Sequence, residues 1–431
     1  MKNIILIYPQ PDAKKSYRFG YSMLLLYVAS TLRNAGYSVS LNDYSVVRYD
    51  FNELRAQLLP DSIVIMEIDA FPLKRSLNIR CATTIANDVK NFKNSIPVIA
   101  IGKQCTLFHQ ELAFADITVS GDCEISILDI INQLDGNKKV CKFYDAGSLN
   151  QLHKLPLPAY DLLDEEQVCG KTLDTDMNLA PSALLETSRG CPGKCTFCQR
   201  KGWCEKVSTM PLDTVRKNFR YLLDEKIINF WITDENFSGN INHATEVLKM
   251  FTNEAQGREV RICISSWVHI TEAFLSLAKQ AGVSVISLGI ESITAENQDF
   301  YNKHHDPVIV KRMLKAANDV GIFTVGNFII GSPYDTYETI EENLQYAIES
   351  ELDQVNVKNL DYMMGAELYE NLPEEQKKEI HFFSCSERGI CNFSRDELRN
   401  IAKSFSGRFN ETRVEKLQQK ICRFGTPYVL R

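Results

Sequence analysis

The chain has 431 residues, longer than a single hydrophobic core ordinarily grows and enough for two or three domains. Hydrophobic residues make up 44% and charged residues 24%, proportions that exclude a disordered, collagenous or low-complexity chain. With 48 basic against 55 acidic side chains the formal charge is -7, which argues against a dedicated nucleic-acid binder and its basic stripe.

Residues 1–140 alternate short apolar runs with helical periodicity. Runs at 4–7, 37–41, 62–66, 98–101 and 117–119 read as strands, and 22–34 as the first helix. Gly36 stands just after that helix, at the left-handed position where a side chain would be penalised. Strands alternating with helices predict an α/β domain with a doubly wound parallel sheet, Rossmann-like, whose ligands bind beyond the carboxyl ends of its strands. The loops at that edge are 8–21, 67–73, 102–108 and 121–124. From 141 to 180 the pattern turns polar, and Leu155-Pro156-Leu157-Pro158 enforces extended backbone because each proline also restricts its predecessor; a linker is expected there.

From 181 to 370 six apolar runs recur with helical stretches between them, at 183–186, 227–233, 260–265, 283–288, 323–330 and 355–357. Six βα units predict a partial parallel (βα)6 barrel with its chemistry at the C-terminal strand ends. Residues 371–431 read as a charged helical region, opened by a capping box at Ser394-Arg395-Asp396-Glu397. The apolar part of the N-terminus is too short for a signal peptide, and no stretch reaches the ~18 apolar residues of a membrane span. The chain reads as cytoplasmic.

A cytoplasmic chain with 13 cysteines has no use for a disulfide framework, so metal binding or burial must account for them. Cys191, Cys195 and Cys198 follow the first barrel strand in the run Cys191-Pro192-Gly193-Lys194-Cys195-Thr196-Phe197-Cys198. Three soft ligands leave a fourth metal position open, which suits an iron–sulfur cluster that also binds a substrate or cofactor. The alternative is a zinc site completed by Cys204 or a histidine. Cys385, Cys391 and Cys422 are spaced too loosely to stand out as an auxiliary cluster and read as structural. His304-His305 lies in a turn, and a metal role is not expected of it.

The run Glu186-Thr187-Ser188-Arg189-Gly190-Cys191-Pro192-x-x-Cys195-x-Phe197-Cys198 resembles the cluster loop of the radical S-adenosylmethionine (radical SAM) enzymes. That resemblance implies a 4Fe–4S cluster on Cys191, Cys195 and Cys198. It also implies SAM contacts at later strand ends. Thr233-Asp234-Glu235-Asn236-Phe237 resembles the acidic turn that holds the methionine amino group, through Asp234 or Glu235. Leu288-Gly289-Ile290-Glu291-Ser292 resembles the element near the ribose and methionyl carboxylate, with Glu291 and Ser292. The stretch from Gly326 to Gly331 resembles the strand whose backbone lies against adenine, and Asn302-Lys303 an exposed lysine-containing turn of the family.

The first domain resembles the cobalamin-binding module found ahead of many radical SAM barrels. Gly102-Lys103-Gln104-Cys105-Thr106 and Gly121-Asp122-Cys123-Glu124 stand where that module has glycine-rich loops, which places Gly102, Thr106 and Gly121 at a cobalamin. Lys103 and Cys123 depart from that pattern by replacing glycines that let backbone approach the corrin. Tyr17, Phe19 and Tyr21 either floor a corrin pocket or cover the sheet edge. In the barrel, Ser265-Ser266-Trp267-Val268 and Tyr362-Met363-Met364-Gly365-Ala366 depart from the family pattern on the substrate side.

The resemblance implies an enzyme that cleaves SAM reductively to a 5′-deoxyadenosyl radical and abstracts a substrate hydrogen. Cobalamin-dependent C-methylation by a methyltransferase of this type is the expected outcome. A cobalamin-free radical enzyme catalysing cyclisation, rearrangement or oxidation, and an inactive binding module, are the alternatives. An electron donor such as flavodoxin or ferredoxin is implied as partner, and the substrate is a small molecule, a lipid or a peptide.

Overall fold

The structure is a computed structural model that describes residues 2–10, 21–68, 78–103, 105, 112–136, 140–149, 151–169, 179–199, 206–378 and 383–428. It divides into two compact units, with the boundary between Leu184 and Leu185.

The first unit is built on a parallel sheet of six strands: β1 (Asn3–Tyr8), β2 (Ser38–Asp43), β3 (Ile63–Glu67), β4 (Val98–Gly102), β5 (Ile117–Ser120) and β6 (Phe143–Asp145), in the order β2-β1-β3-β4-β5-β6. Side chains alternate between the two faces of a strand. Ile4 and Leu6 therefore meet Leu25, Val28 and Leu32 of helix Met23–Asn34, while Ile5 and Ile7 meet Leu54, Ile85 and Val89 on the other side. Burial on both faces explains why the strands read as continuous apolar runs. The doubly wound sheet is as expected.

Helix Met23–Asn34 begins with the Ser22 hydroxyl accepting from Leu25 N at 3.0 Å, and Gly36 beyond its end has φ +91°. The sixth strand lies within the stretch expected to be linker. Its partly exposed residues Phe143-Tyr144-Asp145 give no apolar run, because an edge strand needs none. The strand order reverses between β1 and β3, the switch point where sheets of this type bind ligands. There the Asn78 amide, fully buried, donates to Glu67 O at 2.8 Å and Pro9 O at 3.4 Å.

The second six-stranded sheet comprises β7 (Ser182–Leu185), β10 (Asn229–Ile232), β11 (Arg261–Ser266), β12 (Val283–Glu291), β13 (Phe323–Ile330) and β14 (Gln354–Asn359), in sequential order, with β10 to β14, all in the second unit, paired in parallel. A short antiparallel pair, β8 (Ser188–Arg189) and β9 (Ser208–Thr209), brackets the cysteine loop. The strands β10 to β14 run the same way, so their C-terminal ends share one edge. Helix Arg395–Glu411 opens with the expected capping box at Ser394 and Glu397, and its Phe405 ring lies 5.4 Å from Phe328 of β13. Among the described residues no helix is long and apolar enough to cross a membrane.

Candidate active site

The cysteine loop leaves β8 at Gly190, whose N–H donates to the Glu235 carboxylate at 2.8 Å. Cys198 N then closes a turn on Cys195 O at 3.1 Å, and Asn302 holds the loop from outside through Lys194 O at 2.9 Å. Cys191 and Cys198 both lie within electrostatic reach of Cys195, together with Lys303 and Glu291. Burial pushes the Cys195 thiol up to about 12, with Lys303 pulling it down and the acidic neighbours pushing it up. A thiolate is thus disfavoured there on its own, and positively charged iron is the group that would offset the cost. Among the described residues no three His, Cys, Asp or Glu side chains are drawn close enough to share one metal ion. In a cluster each thiolate takes its own iron. Three adjacent thiols beside an open edge fit a 4Fe–4S cluster with one iron unligated by protein.

Above the loop the charges are paired. Lys303 Nζ stands 3.5 Å from Glu291 Oε1, with only 8% and 11% of the two side chains exposed, and 5.4 Å from the centre of the Trp267 ring. Glu291 reaches this place through a β-bulge at the end of β12 and a left-handed φ of +64°. Gly289 leaves the room: a Cβ there would lie 2.7 Å from Glu291 Oε1 and 3.0 Å from Lys303 Nζ. Trp267, held by Asn236 Oδ1 on its backbone N–H at 3.2 Å, lays its ring against Gly193 of the cysteine loop. A cation, a carboxylate and an aromatic face therefore border the three thiols.

A family model described as the radical SAM superfamily matches residues 185–347. Residues 185–347 are a radical SAM domain. An uncharacterized methyltransferase of Pyrococcus horikoshii is 23% identical over 67% of this chain and 66% of its own length. The cytidylyl-2-hydroxyethylphosphonate methyltransferase of Streptomyces wedmorensis is 25% identical over 53% of this chain and 46% of its own. The chain thus spans about half to two thirds of these relatives. The structure of the radical S-adenosylmethionine methyltransferase TsrM from Kitasatospora setae, with cobalamin and a 4Fe–4S cluster bound, is similar with a TM-score of 0.70. It is 15% identical, over 85% of this chain and 74% of that one.

Within this radical SAM fold, the residues singled out by motif separate into two groups. Glu235 and Glu291 border the cysteine loop. Asp234 does not: it is 3% exposed, and its carboxylate takes Thr187 N at 2.8 Å, Thr187 Oγ1 at 2.5 Å and Ser188 Oγ at 2.6 Å. It braces the loop before the cysteines, which leaves Glu235 as the carboxylate of that turn nearest the cluster. Burial is the main cause that raises Asp234 to about 7, against the hydroxyl and backbone donors.

Ser292 is likewise fully buried, its hydroxyl shared among Thr294, Asn297 and Asn343. Gly326 turns its bare side toward Leu352 on the helix face, and Gly331, at φ +101°, turns its own toward Ser384 and Leu398. Both glycines make room for protein. Lys303, expected in an exposed turn, is instead buried beside the cluster loop, and sequence reasoning missed its part in the site. The only signal is its place after Asn302, a left-handed helix cap (φ +52°) that folds the chain back.

In the first unit the glycines expected at cobalamin are also filled by protein. A Cβ on Gly102 would lie 2.4 Å from Ile68 O, and one on Gly121 2.3 Å from Gly147 O. These two glycines serve backbone packing and show no cradle for a corrin. Lys103 Nζ stands 3.6 Å from Asp122 Oδ1, and Cys123 is buried. Thr106, Tyr17 and Phe19 lie outside the described residues, as does much of the loops at 8–21 and 67–73. Tyr21 is 2% exposed, and its hydroxyl accepts from Leu184 N at 3.0 Å. Cys385 and Cys391 are buried and Cys422 is exposed on helix Val414–Phe424. His304 is exposed beside Asp299, and His305 is buried with Nε2 against Ile290 O.

Proposed function

We propose that the chain is a radical SAM C-methyltransferase that uses cobalamin. Residues 1–140 form the cobalamin-binding domain, 141–180 the linker, 181–370 the radical SAM barrel and 371–431 a helical C-terminal region. The observation that carries the radical part is the grouping of Cys191, Cys195 and Cys198 with Lys303 and Glu291 at the C-terminal strand edge. When bound, the cluster supplies the electron that cleaves SAM and cobalamin supplies the methyl group for transfer.

The chain's own residues hold and shield. Glu235 receives the methionine ammonium, and Lys303 faces the methionine carboxylate. Glu291 neutralises Lys303 while SAM is absent. Trp267 covers Gly193 and keeps water from the loop. The cobalamin part is supported by the six-stranded parallel sheet and its likeness to TsrM, and does not rest on Gly102 or Gly121. A flavodoxin- or ferredoxin-type protein supplies the electron, which places the enzyme in the cytoplasm.

The filled spaces at Gly102 and Gly121 favour a second reading, in which the enzyme works without cobalamin and ends in cyclisation, rearrangement or oxidation. Corrin content of anaerobically purified, cobalamin-supplemented protein separates the two: stoichiometric corrin supports methyl transfer, and iron without corrin supports the second. The radical reading itself is tested by Cys195→Ala, which should lose iron and all 5′-deoxyadenosine formation. A variant that still cleaves SAM would refute it.

A further inference from the structure

Three neighbouring strands of the second sheet begin at the edge opposite Glu291 and the cysteine loop: β11 at Arg261, β12 at Val283 and β13 at Phe323. A cavity of about 70 Å³ lies at that edge. It is lined by Arg261, Ser284, Lys279 in the last turn of helix Glu272–Gln280, Gly321 beyond helix Pro307–Asp319, and Phe424 and Thr426 of the C-terminal segment. One buried water needs ~10–15 Å³ of such space, so about five waters fit, or one small ion in their place. A drug-sized ligand needs several times more.

Two cations line this space with hydrogen bonds still to give. A lysine ammonium carries three N–H donors and an arginine guanidinium five. Lys279 Nζ gives one, to Gly321 O at 2.9 Å. Arg261 gives Nε to Thr426 O at 3.2 Å, and its Nη1 and Nη2 reach Val260 O at 3.5 Å and Glu259 Oε1 at 2.5 Å. Two donors therefore remain on each side chain. The charges are also out of balance. Lys420 stands 2.7 Å from Asp353 and Arg261 has Glu259, but no carboxylate among the described residues pairs with Lys279. Burial, and then the like charges of Arg261 and Lys420, lower the Lys279 pKa. The Phe424 ring, 5.7 Å from Lys279 Nζ, borders the ammonium without neutralising it.

We infer that this cavity is a binding site for one oxyanion of the phosphate type, held by Lys279 Nζ and the Arg261 guanidinium. Phosphate oxygens accept from both cations through charge-assisted hydrogen bonds, and the negative charge relieves the repulsion that Lys279 meets from Arg261 and Lys420. Arginine in particular presents a fork of donors suited to such an ion. The ion is free phosphate or the terminal phosphate of a small metabolite whose remainder stays outside the cavity. The site lies at the opposite strand ends from the cysteines and stands or falls independently of the SAM chemistry.

The test is equilibrium dialysis of radiolabelled inorganic phosphate against the full-length enzyme with its cluster in place. Ionic strength is held constant, because salt screens any diffuse attraction. The native enzyme should saturate at one phosphate per chain. Lys279→Gln keeps a donor for Gly321 O and removes the charge; its affinity should fall about ten- to a hundredfold, the worth of one charge-assisted hydrogen bond, and Lys279→Arg should restore most of it. Arg261→Gln should weaken binding likewise, so the proposal does not hang on one variant folding. Lys303→Met, altered beside the cysteines, should bind phosphate as the native enzyme does. Absence of saturable uptake overturns the site, as does native affinity in both Lys279→Gln and Arg261→Gln. A loss in Lys303→Met with none in Lys279→Gln also overturns it, because the ion then sits beside the cluster. Competition with glycerol 3-phosphate separates the two sources: displacement of the label assigns the terminal phosphate of a metabolite, and retention of the label assigns the free ion.

Discussion

Gly193 lies between Cys191 and Cys195 with a backbone angle outside the left-handed region, so one neighbour alone refuses a methyl group there. An added Cβ would sit 2.2 Å from Cζ2 and 3.0 Å from Cη2 of Trp267. Non-bonded carbons settle at about 3.5–4.0 Å, so the ring or the loop must move by roughly 1.5 Å. Overpacking of this kind costs about 1–3 kcal/mol, and a loop that moves carries two cluster cysteines with it. Gly193→Ala should therefore lose most of its iron on anaerobic reconstitution. Trp267→Leu, which removes the obstructing ring, should keep its iron, and the double variant should recover what Gly193→Ala loses. Iron per chain and cluster absorbance are the assay. Full iron in Gly193→Ala with Trp267 in place would refute the reasoning, and so would a double variant no better than the single.

Two further outcomes follow from charges near the loop. Lys303→Met keeps the aliphatic stem and removes the ammonium; SAM affinity should fall by about ten- to a hundredfold, the worth of one charge-assisted hydrogen bond, with iron unchanged and Lys303→Arg partly restoring binding. Equilibrium dialysis measures it, and an unchanged dissociation constant counts against the carboxylate contact. Asp234, raised to about 7 mainly by burial, holds in the folded chain a proton that the unfolded chain releases near its ordinary value of 3.8. Its contribution to stability is thus present below about pH 4 and lost as pH rises through about 7. Asp234→Asn should lack that fall in apo-protein stability between those values, and parallel pH profiles of the two proteins would disprove it.

The spacing of Cys191, Cys195 and Cys198 was legible because it is local: a loop of eight residues can bring its thiols together whatever the rest of the chain does. The strands were legible for a related reason, since β1 and β3 to β5 are buried on both faces and β7 and β10 to β14 are apolar on the helix side. β6 was missed because an edge strand buries little. The direction of a side chain was the harder matter. Asp234 and Glu235 are neighbours in an acidic turn, yet one turns into the protein against Thr187 and Ser188 and the other toward Gly190. Lys303 looked like any turn lysine until the bulge at Glu291 brought a buried carboxylate to meet it. Such pairings join residues a dozen or more positions apart, and no local pattern reports them.

The buried members of these motifs have a common task. Loops that leave the C-terminal ends of parallel strands carry N–H groups the sheet does not satisfy, and a buried N–H left unpaired costs about 1–3 kcal/mol. Asp234 accepts from Thr187 N, and Asp335 from Gly331 N at 2.6 Å and Ser332 N at 3.0 Å. Burial raises the pKa of both carboxyls, so holding these loops costs the protein some charge desolvation. That cost is met before any cofactor arrives. The loop ahead of Cys191 and the turn after β13 are already tied down in the apo chain. The side chains left free to respond to SAM are the exchangeable pair, Lys303 and Glu291, whose 3.5 Å separation is looser than the 2.7 Å of the nearby Arg189–Glu186 bridge. A loose pair beside a rigid loop is the arrangement in which a ligand carboxylate can displace Glu291 from Lys303 without disturbing the cysteines.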